Sequence, residues 1–299
     1  VGKRVLLYLA TNLAILLVVS VVLAVLGSFG FLGRAGGQGT LLVYCAVWGF
    51  GISFASLAMS RWVAKRAMGV RVVDGHTGNA EADWLYNTIG NLARQANLPM
   101  PEVGIYDSRE VNAFATGPSK KRSLVAVSTG LLRVMDRAEV EGVLGHEISH
   151  IANGDMVTMT LIQGVVNAFV IYLSYVVAGI VRSALSGGRG ERSSGFGGGM
   201  IYFAVYFAAQ IVFGIVGSML TAWFSRQREF RADAGSARLG GSGSMIAALR
   251  RLQSFTGAVD TQHRELATLK IAGGRSLMHL LATHPPLEAR IAALEGRRL

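Results

Sequence analysis

The stretch Asp136-Arg137-Ala138-Glu139-Val140-Glu141-Gly142-Val143-Leu144-Gly145-His146-Glu147-Ile148-Ser149-His150-Ile151-Ala152-Asn153-Gly154 decides how this chain is read. It predicts one helix with a marked start and stop. Asp136 can accept from the free backbone N–H groups of the first turn, and Glu139 stands three residues on, as in a capping box. Val140, Val143, Leu144, Ile148 and Ile151 form an apolar stripe, and Gly154 suits the C-terminal stop. His146 and His150 lie four apart, so both imidazoles project from one face and can reach one metal ion. Glu147 is rotated away from that pair, yet close enough to take a proton from a water held there. Zinc with an open position lowers the pKa of its water to about 7. The spacing therefore points to a zinc hydrolase with Glu147 as general base.

Outward from this helix the sequence turns apolar. Charge-free stretches run over 5–33, 35–60, 156–181 and 193–225, the last apolar from about Met200. Each exceeds the roughly 20 residues that a helix needs to cross a hydrocarbon core. The first span is expected to end near Leu26, where glycines begin. It is too long for a typical signal-peptide core and a second span follows closely, so it reads as a retained anchor. The chain is thus expected to be an α+β membrane protein. Two spans (1–60) precede a polar block (61–155), a membrane hairpin (156–225) and a polar tail (226–299).

Of the 299 residues, 51% are hydrophobic and 16% charged, against about 25% charged in a typical soluble domain. The net charge of +11 reflects membrane topology, because basic residues flank the spans at Lys3, Arg4, Arg61, Lys65, Arg66, Arg226, Arg228 and Arg231. That distribution favours both termini and both polar segments on the cytoplasmic side. No basic patch is interleaved with aromatic residues, so no nucleic-acid partner is expected. The single cysteine, Cys45, excludes an intrachain disulfide and a cysteine-based metal site. The charges from Asp136 to Glu141 argue against a protease that cuts within the membrane, and the charge-free spans argue against a transporter.

The polar block predicts a basic amphipathic stretch at Arg61–Met68, a helix over 81–97, and short strands at Glu102–Tyr106, Val111–Thr116 and Leu124–Ser128. Residues 187–199 are glycine-rich and read as a mobile loop. The tail reads as three or four helices broken at 240–243 and 273–274. A catalytic zinc normally has three protein ligands. The His-bearing helix ends where span three begins, and span four ends just before Arg226-Gln227-Arg228-Glu229. The two ends of a membrane hairpin emerge on one face, so Glu229 is the expected third ligand. Asp233, one turn on, can accept the outer N–H of a ligating His and fix its orientation.

Longer motifs add a resemblance. They are Val-Asn-Ala-Phe-Ala-Thr-Gly (111–117), Ser-Leu-Val-Ala-Val-Ser-Thr-Gly-Leu-Leu (123–132), His-Glu-Ile-Ser-His-Ile-Ala-Asn-Gly-Asp (146–155), Trp-Phe-Ser-Arg-Gln-Arg-Glu-Phe-Arg-Ala-Asp-Ala-Gly-Ser-Ala (223–237) and Thr-His-Pro-Pro-Leu-Glu-Ala-Arg (283–290). With them nearly the whole chain resembles the HtpX-type membrane metalloproteases, relatives of the prenyl-protein CAAX endoproteases. The resemblance implies a gluzincin (zincin-like) domain with a small β-sheet, and one Zn²⁺ per chain on His146, His150 and Glu229, with Glu147 as base. It implies a bacterial inner-membrane enzyme with its active site in the cytoplasm. Its expected role is in stress response and quality control, cleaving damaged or misfolded membrane and cytoplasmic proteins, with self-cleavage as a further property. By the same resemblance His284 and Arg290 lie near the site and help stabilise the oxyanion; the alternative is a helix-start signal and a solvated arginine. Asn112–Thr116 reads as an edge strand to which an extended substrate can add, contacting Asn112 and Ala115, or as a plain structural strand. Asn153 and Asp155 stand between supporting the ligands and capping the helix.

Overall fold

The signals around Asp136 and Gly154 act as written in the sequence. The structure is a computed structural model that describes residues 36–186, 196–262 and 284–296, with Val21 and Val25 besides. Apart from those two valines, the first expected span lies outside the described residues, as does the Gly273–Gly274 break. In chain order the elements are α1 (Gly36–Met68), β1 (Arg71–Val73), α2 (Ala80–Gln95), β2 (Glu102–Tyr106), β3 (Ala113–Ser119) and β4 (Arg122–Ser128), then α3 (Thr129–Val134), α4 (Arg137–Asn153), α5 (Asp155–Ser186), α6 (Phe196–Gly240), α7 (Ser242–Gln262) and α8 (Leu287–Leu294).

Helix α4 begins with the expected capping box: Asp136 Oδ1 accepts from Glu139 N at 2.8 Å, and Glu139 Oε2 accepts from Asp136 N at 2.9 Å. Gly154 closes it in the left-handed region at φ 71°, a conformation that costs glycine little. The buried stripe Val140, Leu144, Ile148 and Ile151 packs on Leu85, Ile89 and Leu92 of α2 and on Val103, Val125 and Val127 of the sheet. Burying four or five such side chains stabilises by roughly 1.5–3 kcal/mol each, which fixes α4 on the sheet.

The sheet has the order β1-β2-β4-β3, with β2/β4 parallel and the other two pairs antiparallel. Strand β4 is central and buried on both faces: Val125 and Val127 face α2 and α4, whereas Leu124 and Ala126 join Tyr106 in a second cluster. Strand β3 lies at the sheet edge and covers Ala113–Ser119, two to three residues beyond the expected 111–116. Just before it, Asn112 still meets Ser128 at the end of β4, its N–H donating to Ser128 Oγ at 3.1 Å and its carbonyl accepting from Ser128 N at 2.9 Å. Strand β1 has no signature in the sequence, since Arg71 and Val72 are exposed and only Val73 is buried.

Among the described residues three helices are long and apolar enough to cross a membrane, within Gly39–Met68, Asp155–Leu185 and Gly199–Gly240. The basic stretch Arg61–Met68 continues α1 without a break. One expectation is corrected here: Phe196–Gly199 is the first turn of α6 and not part of a loop, and residues 187–195 lie outside the described residues. Residues past Ser225 remain helical to Gly240, so Glu229 and Asp233 are helical residues of α6.

The chain divides into two compact units, Val1–Ser56 with Thr160–Thr221, and Leu57–Met159 with Ala222–Leu299. In the first, a Cβ on Gly49 would lie 2.5 Å from Ala168 N, so glycine allows α1 and α5 to approach backbone to backbone. Asn167 Nδ2 donates to Ser53 Oγ at 3.5 Å across the same contact, whereas Gln163 and Gln210 bond within their own helices. The second unit carries the sheet, α4 and every residue of the site.

Candidate active site

The site forms where α4 crosses α6. Both helices present small residues there: a Cβ on Gly145 would lie 2.7 Å from Ser236 Oγ, and Ser236 Oγ donates to Gly142 O at 2.7 Å. This close crossing brings His146 and His150 of α4 against Glu229 of α6, and all three are at most 9% exposed. The ligating atoms of the three lie within 4.8 Å of one another. Nε2 of His146 and Nε2 of His150 are 3.0 Å apart, and the Glu229 carboxylate faces them at 3.6 and 3.3 Å.

The outer nitrogens fix the chemistry of the inner ones. His146 Nδ1 is 2.8 Å from Asp233 Oδ1, and His150 Nδ1 is 2.6 Å from Asp155 Oδ2. A ring N–H on each Nδ1 donates to its carboxylate and leaves each Nε2 with a lone pair. With both rings neutral the two lone pairs face each other, and a cation between them, a proton or a metal ion, relieves the repulsion. Two nitrogens about 2.0–2.1 Å from one tetrahedral zinc stand about 3.3 Å apart, close to the spacing seen. Glu229 Oε1 is buried and, among the described residues, accepts no hydrogen bond, which is costly unless an ion completes it. The donor set therefore fits a single metal ion with nitrogen and oxygen ligands.

Charge reinforces the fit. Glu147, Asp155, Glu229 and Asp233 place four carboxylates around the imidazoles, against the buried guanidinium of Arg290 and Arg228 Nε 4.0 Å from Glu229 Oε1. Burial alone would lower both histidines. Asp233 and Glu229 outweigh it at His146, and Asp155 and Glu229 raise His150 to about 9. Burial would raise Glu229, but the imidazoles of His146, His150 and His284 facing it hold it well below the usual carboxylate range. Asp233 is likewise held down, against its burial, by Arg290 and then His146.

The sequence signature of peptidase family M48 matches residues 79–298. The chain belongs to peptidase family M48. Its relatives include the "Protease HtpX" of Tolumonas auensis, 53% identical over 99% of this chain and all of the relative, and that of Aeromonas hydrophila, 51% identical over 98% and all of it. These place the chain among the HtpX-type M48 proteases, and it is a metalloprotease. The crystal structure of S. mikatae Ste24p has a similar fold, with a TM-score of 0.63 at 20% identity, covering 99% of this chain and 67% of that one.

The remaining expected residues are distributed unevenly in this M48 fold. Glu147 is half-buried and lines a cavity of about 150 Å³ together with His146, Glu229, Asn112, His284 and Arg290. Among the described residues its carboxylate makes no hydrogen bond. Arg290, on α8, is clamped by Asp233 through Nε at 2.8 Å and Nη2 at 2.6 Å, with Nη1 3.5 Å from Glu229 Oε2. It is buried in the site, not solvated. His284 is largely exposed, yet its Nδ1 lies 2.8 Å from Glu229 Oε2. Ala115 pairs with Val125 within the sheet and is not part of the cavity wall.

Asp155 is the residue whose place the sequence left open. The left-handed turn at Gly154 folds the first residue of α5 back, so that its carboxylate reaches a ring five residues earlier. His150 is its only hydrogen-bonded side-chain partner among the described residues, so Asp155→Asn isolates that contact. The variant is expected to bind metal about 10- to 100-fold more weakly, as read by competition with a chelator. Affinity within twofold of wild type would show that Asp155 does not orient the ring.

Proposed function

We propose that this chain is a membrane-anchored zinc endopeptidase that holds one Zn²⁺ on His146, His150 and Glu229 and uses Glu147 as its general base. The observation that carries this reading is the convergence of two Nε2 atoms and a buried carboxylate on one point, their ligating atoms within 4.8 Å of one another. Zinc bound there supplies a Lewis acid that activates water and polarises the scissile carbonyl. Glu147 takes the proton of the attacking water and hands it to the leaving amine. Asp233 and Asp155 hold the imidazoles in the required tautomer and orientation. Arg290, desolvated and fixed by Asp233, offers positive charge where the oxyanion develops, with His284 beside it. Asn112, at the foot of edge strand β3, is positioned to meet an extended substrate, with Ala115 further along the same strand.

The setting follows from the same elements. The apolar helices anchor the enzyme in a lipid bilayer, and the basic residues flanking them favour the bacterial inner membrane with both termini and the active site in the cytoplasm. We assign 61–155 and 226–299 to one cytoplasmic zincin domain and 1–60 and 156–225 to the membrane. A backbone-reading edge suits damaged or misfolded membrane and cytoplasmic proteins, as quality control under stress requires, and copies of the chain itself.

Zinc must displace protons to occupy this site. His150 titrates near pH 9 without metal, so it is protonated at neutral pH, and His146 is raised as well. Uptake of zinc at pH 7.5 is expected to release at least about one proton per ion, with affinity rising from pH 6 toward 9 and then levelling. Calorimetry of metal-free protein in two buffers of different ionisation heat measures the release. No proton released would contradict the ligand set. The proposal as a whole is tested by substitution of Glu147, whose outcome is argued below.

A further inference from the structure

Helices α1, α5 and α6 enclose a cavity that takes no part in the chemistry. It holds about 700 Å³, and its described lining lies wholly in the first compact unit. One side of it is rigid. A Cβ on Gly49 would lie 2.5 Å from Ala168 N, and one on Gly164 would lie 2.5 Å from Phe50 Cδ1, so glycines pin α1 against α5 there. Beyond this crossing Cys45 and Trp48 of α1 face the cavity, with Ile171 and Tyr175 of α5 as a second wall. Tyr206 and Gln210 of α6 supply the third wall, and the rings of Tyr175 and Tyr206 are 4.8 Å apart. Among the described residues none of the lining side chains is charged.

The neighbouring charge says what fills this space. Arg182 is the first charged residue after the stretch 156–181, so it marks the membrane surface at that end of α5. It follows Tyr175 by seven residues, two turns or about 10 Å along one face of the helix. On α6 the residue one turn before Tyr206 is Tyr202, and Arg182 acts electrostatically on its hydroxyl. The cavity therefore lies one to two turns inside the surface, where lipid tails begin. Arg182 is exposed and, among the described residues, pairs with no carboxylate. With the active site in the cytoplasm, as proposed, it stands on the outer side, where basic residues are disfavoured. We propose that the cavity holds one acyl chain of an anionic phospholipid, with Arg182 on its phosphate and the Tyr206 hydroxyl on an ester carbonyl.

Size and polarity agree with this occupant. Small-molecule sites of about 300–1,000 Å³ are mostly apolar, with a few polar groups that fix orientation. Gln210 Nε2 donates to the Tyr206 hydroxyl at 2.7 Å, which leaves the Tyr206 O–H to donate in turn. A donor without an acceptor is costly at this depth, and the ester carbonyls of a phospholipid lie just below its phosphate. A helix fits the space poorly. At about 10–12 Å across, it would need about 1,000 Å³ over two turns of its length.

The full chain is reconstituted in phosphatidylcholine nanodiscs with rising shares of either phosphatidylglycerol or phosphatidylcholine carrying bromine on its tails. Bromine quenches indole emission on contact, and the difference between wild type and Trp48→Phe isolates the signal of Trp48. Half-maximal quenching is expected at an about fivefold lower share of phosphatidylglycerol than of phosphatidylcholine, the preference that one basic residue gives. Arg182→Gln should remove that preference. Cys45→Phe and Ile171→Phe fill the cavity from opposite walls and should lower the quenching of Trp48 by both lipids, while zinc content reports folding. Equal half-points for the two lipids in wild type, a preference kept in Arg182→Gln, or quenching unchanged in both filled variants overturns the proposal. No quenching of Trp48 by either lipid would mean that protein fills the cavity, and overturns it as well. None of these outcomes bears on Glu147 or the metal.

Discussion

Replacement of Glu147 by glutamine is expected to lower proteolysis by about 10²- to 10⁴-fold while the protein keeps about one zinc per chain. The two halves of that result have separate causes. Glutamine has nearly the shape of glutamate, and the Glu147 carboxylate makes no hydrogen bond among the described residues, so the fold loses little. The ligating set His146, His150 and Glu229 is untouched, so zinc is retained. What disappears is the proton acceptor, and with it the path that carries a proton from water to the leaving amine. Metal content by elemental analysis and cleavage of an unfolded substrate, measured on the same preparation, separate the two effects. Cleavage equal to wild type would remove Glu147 from the mechanism. Loss of zinc together with activity would mean that Glu147 acts on the metal site and not on the proton.

Glu229→Ala is expected to fail in the opposite order, with metal lost first and activity as a consequence. Zinc bound by four ligands gains about 10–16 kcal/mol. One ligand's share is therefore roughly 3 kcal/mol, and its removal should weaken binding by about 10²-fold or more. The carboxylate also offsets Arg290, whose Nη1 lies 3.5 Å from Oε2, so its loss leaves positive charge facing the ion. The defect should exceed that of Asp155→Asn, which touches the metal only through His150. Zinc affinity unchanged in Glu229→Ala would exclude it as a ligand.

Much of this site was legible in the sequence, for identifiable reasons. The capping pair Asp136 and Glu139, the stop at Gly154 and the spacing of His146 and His150 are local, and local signals are set by helix geometry alone. Glu229 is distant from them by some eighty residues, yet the membrane hairpin supplied a reason for the ends to meet. In the structure Glu229 belongs to α6 (Phe196–Gly240). Strand β1 was hidden because three residues with one buried side chain carry no periodicity. Asp155 was ambiguous because its role depends on the left-handed turn before it. Trp48, Ile171, Tyr175 and Tyr206 were invisible as a cavity wall, since an apolar residue lining a cavity looks in sequence like one facing lipid.

The central claim is that two helices bring two imidazoles and one carboxylate to a single zinc ion. X-ray absorption at the zinc edge of the purified full chain in detergent tests it most directly. The expected first shell contains only nitrogen and oxygen at about 2.0–2.1 Å, with two imidazoles, and Glu229→Ala loses an oxygen neighbour or the zinc itself. A sulfur neighbour near 2.3 Å, or fewer than two imidazoles in the wild type, would contradict it.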